Sequence, residues 1–268
     1  MAASTREGAR ATERGVLMTM TTAGTRGGIP LPRFGEAGRP PHVGRCTPTD
    51  VVILGGSDIA AVRVEEFFTA EAAQALSDHL MQRLVYERDE IDDQKRTNKA
   101  ARTGDLPSSA LRLLGGSATD PFAEATLNIF TSDWLIEQLA CWMGLPLRVL
   151  RPPVPYRMDP GDYVRPHDDR AAPEFRLSLA CCLTPEDLGS KGGETVVGLV
   201  ESVSEYQHPD FFFPLKRWSL QPGAYVMPPV FNSVLMLVLT EHAAHEIREV
   251  TEAPRYSITT LYGDGMAG

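Results

Sequence analysis

The sequence predicts an α+β fold in which helices support a β-sandwich or jelly roll. Helical patterns are concentrated before residue 147, whereas short apolar or alternating runs separated by turn residues follow it. With 268 residues, 43% of them hydrophobic, the chain is long enough for one large domain with a sizeable core or for two small ones. We expect a single domain over residues 47–268, with a helical support at 59–146 and a jelly-roll core at 147–264.

Residues 1–46 differ from the rest of the chain in composition. They contain eight Gly, four Pro, and seven Arg against three Glu, without a periodic apolar pattern. Such a segment is typical of a flexible or disordered leader. An organelle transit peptide would also be rich in Arg, but the glutamates argue against one, and Met18 and Met20 are alternative starts.

Charge and cysteine content exclude several classes of function. The 26 Lys and Arg and 35 Asp and Glu give a net charge of −9, which does not favour nucleic acid or an anionic membrane surface as a partner. The chain has no apolar run of spanning length and no signal peptide, and its four cysteines include an adjacent pair but no CxxC. We therefore expect a cytoplasmic protein without a disulfide framework or a zinc–thiolate site.

The first half of the domain contains two strong helix signals. "TAEAAQALSDHLMQRLVYE" places Ala73, Leu76, Leu80 and Leu84 on one stripe after the N-cap Thr69. "SDWLIEQLACWMGLPL" begins at the N-cap Ser132 and ends at Gly144 before Pro146. "VVILGG" and "AAVRVEEFF" fit strands, and the polar "QKRTNKAARTGDLPSS" fits a loop.

The second half is a succession of predicted strands. Turn residues such as "DPGD", "GSKGG" and "QPG" separate several of them. The predicted strands are "LRVLRPPVPYRM", "FRLSLACCLT", "GGETVVGLV", "GAYVMPP", "NSVLMLVL", "HEIREV" and "RYSITTLYG".

The segment "YVRPHDDR" carries the clearest chemical signal. On a strand, His167 and Asp169 project to one face and Asp168 to the other. Two histidines and one carboxylate form the facial triad that binds Fe(II) in non-haem oxygenases. The third ligand is His242 or His245 in "TEHAAHEIREV"; His245 is favoured because it begins an alternating strand, whereas His242 lies near a turn.

A candidate anion site follows the second histidine. Arg255 lies ten residues after His245 and shares a predicted strand face with Ser257. An arginine fork beside a hydroxyl is suited to a buried carboxylate, such as the far end of 2-oxoglutarate. A His-x-Asp pair alone is common by chance, but all four residues in this order form a far more specific pattern.

Three segments over residues 150–264 resemble the prolyl-hydroxylase-like branch of the 2-oxoglutarate/Fe(II)-dependent dioxygenases. They are "YRMDPGDYVRPHDD", "FRLSLACCLTPEDLGSKGGETVVG" and "NSVLMLVLTEHAAHEIREVTEAPRYSITTLYGD". The resemblance implies a double-stranded β-helix, which is a jelly-roll core. It also implies Fe(II), 2-oxoglutarate and O2 as cofactors, with ascorbate as an aid in vitro.

The resemblance also assigns roles to residues. It implies that His167, Asp169 and His245 bind the iron and that Arg255, assisted by Ser257, binds the C5 carboxylate of 2-oxoglutarate. Tyr156 is either a further hydrogen-bond donor to the cosubstrate or an aromatic residue at a strand edge. The chain departs from some prolyl hydroxylases at Cys182, where they carry a tyrosine that contacts 2-oxoglutarate, so the carboxylate pocket must be completed differently.

The implied reaction is oxidation, most simply hydroxylation, of an unactivated C–H bond. Because related halogenases lack the carboxylate ligand, Asp169 favours hydroxylation, desaturation or cyclisation over halogenation. The expected substrate is a small molecule such as an amino acid or a natural-product intermediate. The alternatives are a protein or peptidyl-prolyl substrate, and a cupin-like metal-binding protein without turnover. Candidate substrate contacts are Arg157, Arg165, Asp168 and Trp218.

Overall fold

Antiparallel strands make up most of the structure. The computed structural model describes residues 17–19, 31–55, 58–101 and 121–265. In chain order the strands are β1 (Leu17–Thr19), β2 (Thr47–Leu54), β3 (Asp58–Glu65), β4 (Tyr86–Ile91), β5 (Lys95–Ala100), β6 (Leu147–Met158), β7 (Tyr163–His167), β8 (Phe175–Cys182), β9 (Lys191–Gly192), β10 (Thr195–Tyr206), β11 (Leu215–Leu220), β12 (Tyr225–Met227), β13 (Ser233–Val238), β14 (Ala243–Ile247), β15 (Val250–Glu252) and β16 (Arg255–Asp264).

Fourteen of the described strands belong to one curled sheet. Its order is β1-β2-β3-β13-β8-β16-β6-β5-β7-β14-β10-β11, with β12 on β10 and β4 on β5, while β9 and β15 form a separate pair. β5 joins the two halves, because it pairs with both β6 and β7. The half that contains β8, β16 and β6 therefore faces the half that contains β7, β14 and β10, which confirms the predicted jelly-roll core.

Alternate residues of the central strands face the apolar core on one side and the interior of the curled sheet on the other. On β8, Leu177, Leu179 and Cys181 belong to the large apolar core, whereas Ser178 and Ala180 line a cavity inside the curled sheet. This period of two is the property of a strand with two different faces. The core that supports the sheet and the wall of the cavity are thus made by the same strands.

In the described ranges, three α-helices cover the outer face of these strands: α1 (Ala70–Gln82), α2 (Pro121–Leu127) and α3 (Asp133–Met143), with a 3₁₀ turn at Asn128–Thr131 between the last two. The side chain of Thr69 caps α1 and that of Ser132 caps α3, and α3 ends at Gly144 in the left-handed conformation. Both predicted helices and their caps are confirmed, although α1 ends at Gln82 and its last predicted residues belong to β4. A short 3₁₀ turn also spans Glu186–Leu188.

The support predicted at 59–146 is less helical than expected, because it contains most of β3 and all of β4 and β5. The segment predicted as a polar loop forms β5 over Lys95–Ala100. Its polar side chains form hydrogen bonds within the fold: Asn98 is buried and donates to the carboxylate of Asp162 at 3.0 Å. A strand built largely from polar residues lacks the apolar alternation by which strands are recognised.

Part of the predicted leader belongs to the folded domain. Within residues 31–46, Val43 and Cys46 are buried, and Phe34 packs edge-on against Phe67. Gly44 is required here, because a Cβ at this position would lie 2.2 Å from the carbonyl oxygen of Glu66. The domain therefore begins before residue 47. The leader predicted for 1–16 and 20–30 lies outside the described residues.

In the part of the chain that the structure describes, no helix is long and apolar enough to cross a membrane.

Tyr262 joins the sheet to the helical layer and allows a test of this packing. Its buried hydroxyl donates to the carbonyl oxygen of Phe130 at 2.5 Å. The change Tyr262→Phe leaves that carbonyl unsatisfied and should lower the free energy of unfolding by about 1–3 kcal/mol in denaturant titration. Tyr225→Phe is the control, because the Tyr225 hydroxyl has no hydrogen-bond partner among the described residues. Equal effects of the two changes would contradict the assigned role of Tyr262.

Candidate metal centre

Three side chains converge inside the curled sheet, two from the paired strands β7 and β14 and one from the turn after β7. His167 ends β7, Asp169 follows two residues later, and His245 lies on β14 directly opposite His167 in the strand register. Asp169 Oδ1 lies 3.4 Å from His167 Nε2, and Asp169 Oδ2 lies 3.4 Å from His245 Nε2. The three ligand atoms lie within 4.8 Å of one another.

The structure selects Asp169 over Asp168, but for a reason other than strand periodicity. β7 ends at His167, and Asp169 has a left-handed backbone with φ of 54°. Asp168 accepts a hydrogen bond from the backbone N–H of Arg170, which closes a local turn. The turn, and not a continued strand, brings the Asp169 carboxylate to the histidines, so the predicted extension of the strand through residue 169 is wrong.

Neighbouring groups orient two of the three side chains. The hydroxyl of Ser178 donates to Asp169 Oδ2 at 2.9 Å. His167 Nδ1 lies 2.9 Å from the carbonyl oxygen of Arg165, which can only accept a hydrogen bond. Nδ1 therefore carries the proton in the neutral imidazole, and the lone pair of Nε2 is available to a metal. Outer hydrogen bonds of this kind fix the tautomer and orientation of metal-binding residues.

The three groups also shift one another's proton affinity. Burial would raise the pKa of Asp169, but the contacts with His167 and His245 hold it well below its usual range. Burial lowers the pKa of His167, yet Asp169 and the carbonyl of Arg165 together raise it more, so that the net shift is upward. For His245, burial and His167 together lower the pKa. The result is a carboxylate anion held between two imidazoles.

This arrangement fits a divalent cation. Metal–ligand bonds of about 2.0–2.2 Å at right angles separate adjacent ligand atoms by about 3 Å. The 3.4 Å separations require only a small inward movement of the side chains. Two histidines and one carboxylate are the donor set typical of non-haem Fe(II). Because all three ligands lie on one side, the other coordination positions of a bound metal would be open toward the cavity.

The cavity beside the triad has a volume of about 240 Å³. His167, Asp169 and His245 lie in its wall, together with Tyr156 and Ser257. Two hairpins that contribute Lys95 and Lys216 to the lining contact each other. His208 Nε2, on the β10–β11 connection, lies 3.0 Å from Asp92 Oδ1 in the β4–β5 turn. Arg217 on β11 donates to Asp93 in the same turn at 3.0 Å.

Arg255 is not itself a lining residue of the cavity, but Met158, which it contacts, and Ser257, on the same face of β16, both line it. Its guanidinium is buried and donates to the Met158 sulfur at 3.5 Å, and among the described residues its Nε has no partner. Burial lowers its pKa. Gly193 makes room for this side chain, since a Cβ there would lie 2.7 Å from Arg255 Cδ. A buried cation with a thioether as its acceptor fits a carboxylate arriving from the cavity.

The other predicted site residues divide into two groups. Tyr156 and Arg165 line the cavity. Arg157, Asp168 and Trp218 do not: Arg157 pairs with Asp159 at 3.0 Å outside it. His242 is exposed on the turn before β14, and the buried Cys182 lies opposite Ser257 in the strand register.

The cavity lining includes residues that the sequence does not single out, among them Lys95, Arg151, Lys216 and Ser178. Each lies in the cavity wall because of strand pairing between segments far apart in the chain. The sequence predicts a loop where β5 lies, so it assigns no strand face to Lys95. For Ser178 a signal was present, since it occupies the cavity face of the predicted strand "FRLSLACCLT".

Comparisons with solved structures identify the fold. A prolyl-4-hydroxylase from Pseudomonas putida matches over 76% of this chain and 92% of its own, with a TM-score of 0.50 and 14% identity. An oxidoreductase of the 2OG-Fe(II) oxygenase family from Burkholderia pseudomallei matches over 76% and 85%, with a TM-score of 0.48 and 22% identity. A prolyl hydroxylase from Trichoplax adhaerens matches over 76% and 84%, with a TM-score of 0.49 and 16% identity.

No family model and no curated protein matches the chain. The likeness to the Pseudomonas enzyme, at 14% identity, concerns the fold. The chain therefore shares the jelly-roll fold of a prolyl-4-hydroxylase and places a His–Asp–His cluster inside it.

The two adjacent aspartates provide a test of the metal centre. Asp169→Ala should abolish binding of Fe(II), or of Co(II) as a stable substitute, because it removes the anionic ligand. Asp168→Asn is the matched control and should retain binding, since the amide oxygen can still accept from the Arg170 backbone N–H that closes the turn. Isothermal titration of the apoprotein measures both. Loss of binding in the Asp168 variant with retention in the Asp169 variant would contradict the assignment.

Ser178 provides a second test, because its hydroxyl orients Asp169 without contacting a metal. Ser178→Ala should weaken Co(II) binding about 10- to 100-fold, the usual effect of losing such an outer hydrogen bond. Ser202→Ala, at an exposed serine on β10, is the control. An unchanged affinity in the Ser178 variant would show that the turn alone positions the carboxylate.

Proposed function

We propose that the protein is a 2-oxoglutarate- and Fe(II)-dependent dioxygenase that hydroxylates a small molecule such as an amino acid or a natural-product intermediate. The observation that carries the proposal is the cluster of His167, Asp169 and His245, which opens into a cavity next to the buried Arg255. The shared fold supports this proposal but does not by itself establish an activity.

The chemistry would come from the bound cofactors. Fe(II), 2-oxoglutarate and O2 together convert a C–H bond to C–OH, while 2-oxoglutarate becomes succinate and CO2. The protein's part is to bind and orient. His167, Asp169 and His245 would hold the iron on one side, so that the remaining positions face the cavity.

Arg255 and Ser257 would hold the far carboxylate of 2-oxoglutarate. The guanidinium offers donors that the Met158 thioether satisfies weakly, and Ser257 adds a hydroxyl on the same strand face. Cys182, opposite Ser257, takes the position at which some prolyl hydroxylases carry a tyrosine. Tyr156 lines the same cavity, and its hydroxyl is free to donate because it accepts from Arg151.

The size of the cavity supports a small substrate. A volume of about 240 Å³ is below the range of about 300–1,000 Å³ typical of drug-sized ligands, and the cosubstrate would occupy part of it. The Pseudomonas neighbour is a prolyl-4-hydroxylase, which favours a peptidyl-prolyl substrate as the second candidate. Turnover of prolyl peptides and of free amino acids distinguishes the two.

Anaerobic addition of Fe(II) and 2-oxoglutarate should give a weak charge-transfer band in the visible spectrum, and admission of O2 should give succinate. Arg255→Gln should raise the 2-oxoglutarate concentration for half-maximal absorbance about 10- to 100-fold, because a buried charge-assisted hydrogen bond is lost. Arg248→Gln, at an exposed arginine just after β14, is the control.

Absence of the band in the unaltered protein would refute the oxygenase assignment. Metal binding without a band or succinate would instead favour a cupin-like metal-binding protein, for which Arg255 and Ser257 need no common role.

A further inference from the structure

The cavity wall is cationic although the protein is acidic. Lys95, Arg151, Arg165 and Lys216 all line it, whereas Asp169 is the one carboxylate among its described lining residues. The chain as a whole has a net charge of −9. The concentration of positive charge at this place therefore does not follow from the composition.

Most of these cations lack a carboxylate partner. Lys95 pairs with Asp89 at 2.7 Å. In the described part of the chain, Arg151, Arg165 and Lys216 form no ion pair: Arg165 lies over the ring of Tyr163, and Lys216 over that of Trp218. Arg151 donates to the Tyr156 hydroxyl at 2.5 Å.

Two of the cations converge on Tyr156. The Arg151 guanidinium contacts its hydroxyl, and Lys95 Nζ lies 5.3 Å from the centre of its ring. Asp89 belongs to the same group: burial would raise its pKa, but Lys95, Lys99 and Arg151 lower it on balance. Asp89 thus stays ionised and compensates one positive charge, while that of Arg151 remains available to a ligand.

The strand register places Arg151 near the metal centre and away from Arg255. Arg151 and Ser178 both pair with Leu261 of β16, and Ser178 contacts Asp169. Arg255 lies six residues before Leu261 on the same strand, which corresponds to about 20 Å along it. The side chain of Arg151 runs back toward Tyr156, which pairs with Ser257, so its guanidinium lies closer to the Arg255 end of β16 than its backbone does. Arg151 lines the cavity and Arg255 does not, so the two cations offer two separate sets of donors for carboxylates.

The charges of the proposed cofactors leave this second site uncompensated. Fe(II), Asp169, Arg255 and the two carboxylates of 2-oxoglutarate together carry no net charge. Lys95 and Asp89 cancel each other. Of the three remaining cations, Arg165 and Lys216 are exposed to solvent, whereas Arg151 is half-buried. A half-buried cation without a counter-ion favours an anionic ligand, so the argument from burial rests on Arg151.

Resting on the dioxygenase function proposed above, we propose that the molecule oxidised is a small carboxylic acid whose carboxylate binds to Arg151 and Lys95 beside Tyr156. The planar fork of Arg151 matches the two oxygens of a carboxylate. Arg165 and Lys216, both exposed lining residues of the cavity, attract the anion by their long-range field. The carboxylate fixes one end of the molecule, so that a C–H bond elsewhere in it faces the metal centre.

Binding without turnover tests the proposal. The protein is loaded with Zn(II), which does not activate O2, and with 2-oxoglutarate. L-amino acids and simple aliphatic and aromatic carboxylic acids, each paired with its primary amide, are then titrated by ligand-observed NMR. At least one acid should bind at least tenfold more tightly than its amide, because the amide cannot provide the negative charge.

Variants locate the site of this preference. Arg151→Gln should remove the preference for the acid, and Arg151→Lys should retain part of it, because the charge stays and the fork is lost. Arg148→Gln, at an exposed arginine three residues earlier on β6, is the control and should keep the full preference. Lys216→Gln, also exposed, should slow association at low ionic strength without affecting the fold.

The proposal is overturned if acids and amides bind equally, or if no acid in the library binds. It is also overturned if the Arg151→Gln variant keeps the full preference for the acid. Binding of an acidic prolyl peptide in place of the small acids would overturn it as well. Failure of the proposed function is recognised separately. An unaltered protein that lacks the Fe(II)–2-oxoglutarate band but prefers acids through Arg151 would refute the oxygenase and leave the anion site in place.

Discussion

The pairing of β16 with β6 on one edge and β8 on the other is the constraint on which the rest of the structure depends. Its register decides which residues lie at the level of the triad and which lie at that of Arg255. It also sends Tyr256 and Ile258 into the core beneath the helices while Ser257 faces the cavity. A slip by one residue would exchange these faces, so packing of the helices and placement of the polar groups are specified together.

The metal centre uses a strained element that its surroundings hold in place. A left-handed backbone is uncommon for any residue other than glycine, and aspartate is among those that tolerate it. Ser178 from β8 and the turn at Asp168 fix Asp169 in that conformation. The carboxylate therefore belongs to neither strand that carries a histidine, and it joins the two halves of the sheet at the point where they face each other.

The sequence allowed the fold class and both capped helices to be predicted, and the three residues predicted as metal ligands do cluster, although a turn and not the period of a strand places Asp169. Thr69, Ser132 and Gly144 act within one helical turn, and His167 and Asp169 are close in the chain. β5 and Arg151 could not be predicted in the same way. A polar strand is stabilised by partners on β6 and β7, and the neighbours of Arg151 are set by strand register, neither of which is visible in a single stretch of residues.

The β4–β5 turn and the β10–β11 connection contact each other, and their hairpins carry cavity residues but none of the histidines of the metal centre. Lys95 and Lys216 lie on these two hairpins, whereas the histidines lie on β7 and β14. His208 with Asp92, and Arg217 with Asp93, set the distance between the hairpins. Changes in hairpin length or charge would thus alter which molecules enter while leaving the triad intact. Substrate preference is free to diverge in evolution on a catalytic frame that stays constant.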